Sequence, residues 1–256
     1  MSVAGGLARA VGNAVDAGCE SLQVFTSNAR GWAPPPVDPE GDERFRAALA
    51  GAGLGPLFVH APYLVNFAST SPVTRERSRQ VVAATLAKAA AIGAAGVVVH
   101  AGAALASGRA AGLATTREAL LPLADGLAGR YGPDLVLELT AGTRGALAAR
   151  FEEMAELLAA CDHHRRLTVC MDTCHAHAAG YDLSDPIGTT KALDELFATL
   201  GDRVVLVPSQ CCLTTIWLLA IHAGQWPCRS RDSTPVDSGQ RLQVLGSAAL
   251  WRRSQL

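Results

Sequence analysis

With 256 residues, of which 49% are hydrophobic and 18% charged, the chain is long enough to bury one large core. Its formal net charge of -1 gives no global basic field that would indicate a nucleic-acid partner, although a binding face can be locally basic on a neutral protein. The seven cysteines form no CxxC pair, and neither a signal-peptide pattern nor an apolar run of membrane-spanning length is present, so we expect a soluble cytoplasmic chain without disulfides or membrane contact.

Hydrophobic periodicity predicts helices that alternate with short apolar strands. The predicted helices cover residues 3–18, 42–52, 72–93, 113–130, 147–161 and 186–200. The predicted strands cover residues 21–26, 57–60, 97–100, 135–138, 167–171 and 203–207. One helix separates each pair of strands, and this alternation predicts a parallel α/β fold.

Four consecutive predicted strands end in a side chain that can bind a metal ion. These side chains are His60, His100, Glu138 and Asp172, and His175 follows the last of them closely. Imidazole nitrogens and carboxylate oxygens are both ligands of zinc. A single buried histidine is usually a hydrogen-bonded core residue, but four such strand ends are hard to explain by packing. They predict a metal site at the carboxyl ends of the strands.

The same segment contains two further potential ligands, Cys174 and His177. Cys174 is expected to be a packed thiol rather than a ligand.

Ligands at successive strand ends favour a TIM-type (β/α)8 barrel over an open doubly wound sheet, because barrel enzymes collect functional residues at the carboxyl face. An open sheet would normally carry a glycine-rich phosphate loop after its first strand, and none is present. About six strands are recognisable and the first element is a helix. The barrel is therefore expected to be incomplete, without its opening strand.

Composition changes abruptly near Pro208. Residues 208–256 contain three of the four tryptophans and three of the seven cysteines, but no Glu and no Lys, and the strand–helix period ends there. We therefore predict a barrel over residues 1–207 and a divergent tail over residues 208–256, which is either disordered or the product of a shifted reading frame.

Five segments in order resemble the endonuclease IV family, the zinc-dependent apurinic/apyrimidinic (AP) endonucleases of base-excision repair. They are VFTSNARGW, FVHAPYLVN, VVVHAG, LVLELTAG and VCMDTCHAHAAGYDL, which lie between about Met1 and Val207. The resemblance implies a TIM barrel that holds three zinc ions at its carboxyl face. It also implies a monomeric hydrolase that cuts double-stranded DNA on the 5′ side of an abasic site.

Carried over by motif, the resemblance makes His60 and His100 ligands of one zinc ion. Glu138 bridges this ion to a second and is the candidate catalytic residue. Asp172 resembles a ligand of the second ion and His175 a ligand of the third. Arg30, Tyr63, Leu64 and Asn66 match DNA-binding positions, with Arg30, Tyr63 and Leu64 inserted into the base stack. For Tyr63 and Leu64 the alternative is ordinary loop packing, and for Arg30 a solvated charge or a phosphate contact.

The chain departs from the family pattern after its sixth strand. The family has a histidine in a segment where this chain reads VVLVPSQCC, and a later Asp-x-His pair and a final glutamate have no counterpart. One near-complete zinc site is therefore expected, with ligands missing from the other two. Two alternatives remain, a sugar isomerase or epimerase that uses a divalent metal, and an inactive, truncated family member.

Overall fold

In the part of the chain that the structure describes, seven parallel strands form one sheet, in the order in which they follow along the chain. The computed structural model describes residues 6–129 and 131–209 and the backbone of residues 243–246. The strands are β1 (Leu22–Phe25), β2 (Leu57–His60), β3 (Gly96–His100), β4 (Asp134–Glu138), β5 (Leu167–Cys170), β6 (Val204–Ser209) and β7 (Gln243–Gly246). No pairing within the described residues joins β1 to β7, so this part of the chain forms an incomplete barrel.

Helices cover the outside of the sheet. They are α1 (Leu7–Asp16), α2 (Pro39–Gly51), α3 (Pro72–Ala91), α4 (Arg109–Asp125), α5 (Phe151–Ala160), α6 (Thr173–Ala178) and α7 (Pro186–Leu200), and a short 3-10 helix (Gly201–Arg203) precedes β6. Among the described residues, none of these helices has the length and apolar character that crossing a bilayer requires. The alternation of strand and helix predicted from the sequence is confirmed.

Three helices begin with an Asp or Ser cap followed by a proline in the first turn, a combination that satisfies a free backbone N–H and fixes a helical φ. The pairs are Asp38–Pro39, Ser71–Pro72 and Asp185–Pro186. The predicted bounds of α7 are therefore confirmed. The predicted start of α2 at residue 42 is wrong, because the side chain of Asp38 accepts a hydrogen bond from the Gly41 N–H and starts the helix earlier.

Two other helices differ from their predicted bounds by several residues. Helix α4 begins at Arg109 rather than at residue 113 and ends before Gly126, whose N–H closes the last turn on Pro122. Helix α5 begins at Phe151 rather than at residue 147, because the preceding residues form a loop in which the Thr140 N–H donates to the Ala148 carbonyl. Helix α6 was not predicted at all.

The interior of the barrel is a separate apolar cluster with one residue from each of β2 to β6. Its members are Phe58, Val98, Val136, Cys170 and Leu206. Side chains two positions apart along a strand share a face. The residues two positions further on are His60, His100, Glu138, Asp172 and Pro208. The candidate site therefore lies directly on top of the interior cluster, at the carboxyl ends of the strands.

Strand β7 lies within the segment that the sequence predicts to be a divergent tail. It pairs in parallel with β6, with Leu206 opposite Gln243 and Ser209 opposite Gly246. The sequence predicted about six strands and missed this one, because the strand–helix period that marked the others ends near Pro208. The rest of the prediction for residues 210–256 lies outside the described residues.

Candidate metal centre

The structure brings His60, His100 and Glu138 together at the carboxyl ends of β2, β3 and β4. One potential ligand atom from each residue lies within 4.8 Å of the other two. The register explains this proximity, because His100 on β3 pairs with Glu138 on β4 and His60 on β2 pairs with Val98 on β3. These three residues form the first ligand group.

A second ligand group shares Glu138 with the first. It consists of Glu138, Asp172 and His175, again with their ligand atoms within 4.8 Å of one another. Asp172 follows β5 and His175 lies in the first turn of α6. The five predicted ligands therefore form two overlapping groups with one carboxylate in common.

Glu138 is buried and surrounded by three imidazoles. Its Oε2 oxygen lies 2.9 Å from Nε2 of both His60 and His100, and its Oε1 oxygen lies 3.3 Å from Nδ1 of His175. Burial raises the pKa of Glu138, but the imidazoles of His100, His175 and His60 more than offset burial and hold that pKa well below its usual range. The carboxylate is therefore ionised at neutral pH.

The Nε2 nitrogen of His60 faces this carboxylate. In the neutral ring the proton lies on the other nitrogen, Nδ1. Nδ1 lies 2.6 Å from the carbonyl oxygen of Ala61, and a carbonyl only accepts, so Nδ1 donates. Nε2 therefore donates to the Glu138 carboxylate only when the ring is protonated, and in the neutral ring it is a lone pair available to a cation. Nε2 of His100 is buried and has no hydrogen bond of acceptable geometry, although it lies 2.9 Å from the same oxygen. Several electron-pair donors that converge on one point fit a bound cation.

The two carboxylate oxygens of Asp172 have different roles. Oδ1 accepts hydrogen bonds from the N–H groups of Cys174 and His175, at 2.7 and 3.0 Å, and so caps α6. Oδ2 remains available to an ion. Burial raises the pKa of Asp172, while the hydrogen bond from His175 opposes that rise.

His175 is held by the strand end of β4 as well as by α6. Its Nδ1 lies 2.9 Å from the Leu139 carbonyl oxygen in addition to its contact with Glu138. The hydrogen bond to Glu138 raises the pKa of His175 to about 9, against the opposing effect of burial. Without an ion, His175 is therefore a cation that neutralises part of the acidic charge.

The wall of the site contains an aromatic residue that the sequence analysis missed. The ring centroid of Phe25, the last residue of β1, lies 4.9 Å from that of His60 and 5.2 Å from that of Tyr63. Its position at the end of a strand could have indicated this place, since Phe25 pairs with His60 in the register of β1 and β2. The search for metal ligands did not include it, because phenylalanine cannot bind a metal.

The predicted DNA-binding residues lie on loops at the same face. Tyr63 and Leu64 are 51% and 38% exposed, so both side chains are accessible at this face. The Tyr63 N–H donates to the Ala29 carbonyl, which places the tyrosine beside the loop of the exposed Arg30. Burial of its hydroxyl, followed by the charges of Glu138 and Asp172, raises the pKa of Tyr63.

The remaining candidates take no part in the two ligand groups. Cys174 is partly buried and His177 is exposed, and neither belongs to a ligand group of the described residues. Pro208, at the corresponding position of β6, has no side-chain donor, so this position supplies no ligand. His222 and Asp237, which follow in the tail, lie outside the described residues.

Comparison with known proteins agrees with this geometry. A family model described as the xylose isomerase-like TIM barrel matches residues 11–207. A Streptomyces avermitilis protein named probable endonuclease 4 is 46% identical over 256 aligned residues, which cover 95% of this chain and 82% of that protein. A Streptomyces coelicolor protein of the same name is 45% identical over 205 residues, which cover 79% of this chain and 69% of that protein.

Among solved structures, endonuclease IV from Thermus thermophilus is 36% identical and superposes with a TM-score of 0.70, covering 84% of this chain and 77% of that chain. An L-ribulose 3-epimerase superposes with a TM-score of 0.63 at 18% identity, covering 82% of this chain and 65% of that chain, and therefore shares the fold alone. The family model spans most of the chain and the nuclease relatives are the more similar in sequence. The chain belongs to the endonuclease IV family.

Proposed function

We propose that this chain is a DNA-repair endonuclease that hydrolyses the phosphodiester bond on the 5′ side of an abasic site, with zinc bound by the two ligand groups. The observation that carries the proposal is the position of Glu138, whose two oxygens serve both groups. The names of the relatives supply the class of reaction.

The ligand groups have the composition that zinc prefers. Two imidazoles and one carboxylate in the first group form a usual set of protein ligands for a catalytic zinc ion. His60 and His100 would hold one ion together with Glu138, and Asp172 and His175 would hold another with the same carboxylate. Divalent ions held here would supply activated water and positive charge for the phosphate oxygens.

The residues of the chain orient and insulate this centre. The Ala61 carbonyl holds the ring of His60 with Nε2 towards Glu138, and Phe25 packs beside that ring and excludes water from one side. Glu138 stays ionised because of the three imidazoles around it, so it needs no deprotonation before it binds an ion.

Lesion recognition is assigned to the loops after β1 and β2. Arg30, Tyr63 and Leu64 are exposed, and the ring of Tyr63 lies 5.3 Å from that of His60, which supports a contact of these residues with DNA at the metal site. An abasic nucleotide has no base to unstack, so it leaves the helix more easily than an intact nucleotide does. Apolar side chains inserted at that point stabilise the kinked duplex.

The test is incision of a duplex that carries one synthetic abasic site, by the zinc-loaded chain. We expect a cut 5′ to the lesion, and a loss of more than about a hundredfold in rate with Glu138→Gln, because this change weakens both ligand groups. Asp134→Asn is the matched control. Asp134 begins the same strand, at the other end, and pairs with Arg166 at 2.8 Å. Absence of incision by folded, zinc-loaded protein would contradict the proposal.

The epimerase alternative is tested in the same preparation. The structural neighbours that are sugar epimerases share only the fold with this chain. Conversion of a ketose to its C3 epimer, lost with Glu138→Gln and retained with Asp134→Asn, would favour that alternative over the nuclease.

A further inference from the structure

The loops at the carboxyl face are joined to one another by hydrogen bonds. The Tyr63 N–H donates to the Ala29 carbonyl and joins the loop after β2 to the loop after β1, at 2.8 Å. The Ala104 N–H donates to the Gly145 carbonyl, also at 2.8 Å, and joins the loop after β3 to the loop after β4. The loops after β2 and β3 are joined differently, through a side chain.

That side chain is Asn66. Its Oδ1 accepts hydrogen bonds from the N–H groups of Ala68, at 3.0 Å, and Ala103, at 3.2 Å. Its Nδ2 donates to the Ala103 carbonyl at 3.2 Å. Both ends of the amide are therefore bonded to backbone, and two of the three bonds cross to the loop after β3.

The close approach of Gly102 to Asn66 supports the same assignment. Gly102 has a φ of +98°, which favours glycine, and a Cβ there would lie 2.2 Å from Oδ1 and 2.9 Å from Cα of Asn66. Gly102 follows His100 by two residues. The loop after β3, to which Asn66 is bonded, therefore continues directly from the strand that ends in this candidate ligand. Asn66 thus connects the segment of Tyr63 and Leu64 to the segment of His100.

We propose that Asn66 is a positioning residue, which fixes Tyr63 and Leu64 relative to the metal centre through its bonds to Ala68 and Ala103, and that it does not itself contact DNA. This inference rests on the proposed function for its effect on incision. It replaces the direct DNA contact that the sequence resemblance implies for Asn66. Oδ1 already accepts two hydrogen bonds and one Nδ2 hydrogen is donated to Ala103, so only the second Nδ2 hydrogen is left for any other partner.

The first test is a double-mutant cycle measured as kcat/KM for incision of the abasic duplex. We expect Asn66→Ala to lower kcat/KM on the order of tenfold to a hundredfold, because small displacements of positioning groups have large effects. In a chain that already carries Tyr63→Ala and Leu64→Ala, Asn66→Ala should have almost no further effect. Additive losses would overturn the proposal, since independent contacts add.

The conservative variant Asn66→Asp separates positioning from DNA contact. Aspartate keeps the two accepted hydrogen bonds but turns a second oxygen towards the Ala103 carbonyl in place of the donated bond, so we expect a loss of kcat/KM, relative to the unaltered chain, that is the same at low and high salt. A carboxylate at a phosphate contact would instead repel the DNA, and salt would screen that repulsion, so a relative loss that shrinks at high salt would overturn the proposal. Gly102→Ala, which disturbs the same contact from the other side, should resemble Asn66→Ala.

Amide hydrogen exchange tests the proposal without DNA. The Ala68 and Ala103 amides should be protected in the unaltered chain and lose protection in Asn66→Ala, while zinc content stays the same. If the chain does not incise DNA at all, the proposed function fails and the exchange result alone decides about Asn66. Unchanged protection of both amides would then overturn the positioning role.

Discussion

The hydroxyl oxygen of Tyr181 accepts a hydrogen bond from the backbone N–H of Phe151 at 3.0 Å, while the two rings stack with centroids 3.9 Å apart. This bond satisfies one of the free N–H groups at the start of α5, which no intrahelical carbonyl can reach. It joins the helix after β4 to the segment after β5. Both segments adjoin ligands, since Glu138 ends β4 and His175 precedes Tyr181.

Tyr181→Phe keeps the stacked ring and removes only the acceptor. We expect a loss of about 1–3 kcal/mol in the free energy of unfolding, because a buried N–H is left without a partner. Urea denaturation followed by circular dichroism measures this loss. Tyr131→Phe is the matched control, since the Tyr131 side chain is fully exposed and should leave the transition midpoint unchanged. Equal midpoints for both variants would contradict the role of the hydroxyl.

Gly96→Ala should destabilise the chain by overpacking. A Cβ at residue 96 would lie 2.5 Å from Cγ2 of Val136 and 3.2 Å from the ring of Phe58, in the interior of the barrel. The expected cost is about 1–3 kcal/mol, which thermal unfolding would register as a lower Tm. Gly12→Ala is the control, because nothing lies within 4 Å of its Cβ position in α1. Alanine is the better helix former there and should raise Tm slightly.

Because Lys88 and Asp42 form a buried ion pair, we expect a single substitution to lower the free energy of unfolding much more than the double substitution does. Nζ and Oδ1 lie 2.6 Å apart, with side chains 7% and 10% exposed. Lys88→Met leaves a buried carboxylate unpaired and should cost about 3–5 kcal/mol, whereas adding Asp42→Leu should recover most of that loss. Chemical denaturation of the two variants measures the difference. A double variant no more stable than Lys88→Met would contradict this account.

The raised pKa of His175 predicts how the stability of the zinc-free chain depends on pH. Its folded pKa of about 9 exceeds the unfolded value of about 6.5, so the ion pair with Glu138 stabilises the folded state fully below the unfolded value. That stabilisation is lost as pH rises from about 6.5 through about 9. We expect Tm after chelation to fall over this interval, and to fall less in Glu138→Gln.

Two comparisons isolate the contribution of His175. His177→Gln changes an exposed histidine on the same helix and should leave the pH dependence as it is. Zinc should abolish the fall in Tm, because a bound ion replaces the proton on the imidazole. An identical pH dependence in Glu138→Gln and the unaltered chain would show that the pair does not stabilise the folded state.

The sequence predicted the ends of β2, β3 and β4 well, because an apolar run that stops at His60, His100 or Glu138 marks both the strand and its ligand. The strand pattern alone did not predict which ligands share an ion, and only the family resemblance implied a grouping. That grouping depends on the register between strands, which brings Glu138 opposite His100, and register is a property of pairing rather than of one strand.

The sequence also missed roles that depend on long-range contacts. Asp172 was expected as a ligand, but its function as the cap of α6 depends on the chain turning at residue 173. Asn66 was expected at the DNA, but its partner Ala103 lies 37 residues away in the sequence. No local pattern reports such a contact, and neither the hydrophobic period nor a motif could have indicated it.

The cap formed by Asp172 has a consequence for the order of events when the protein is made. Its carboxylate is oriented by two backbone N–H groups of α6, so folding fixes the ligand before an ion arrives. An ion that enters then loses little further side-chain entropy, which favours binding. The free oxygen also cannot rotate to suit ions of different sizes without breaking the helix cap. We therefore expect selection among metals at this position to depend on the fit of the ion.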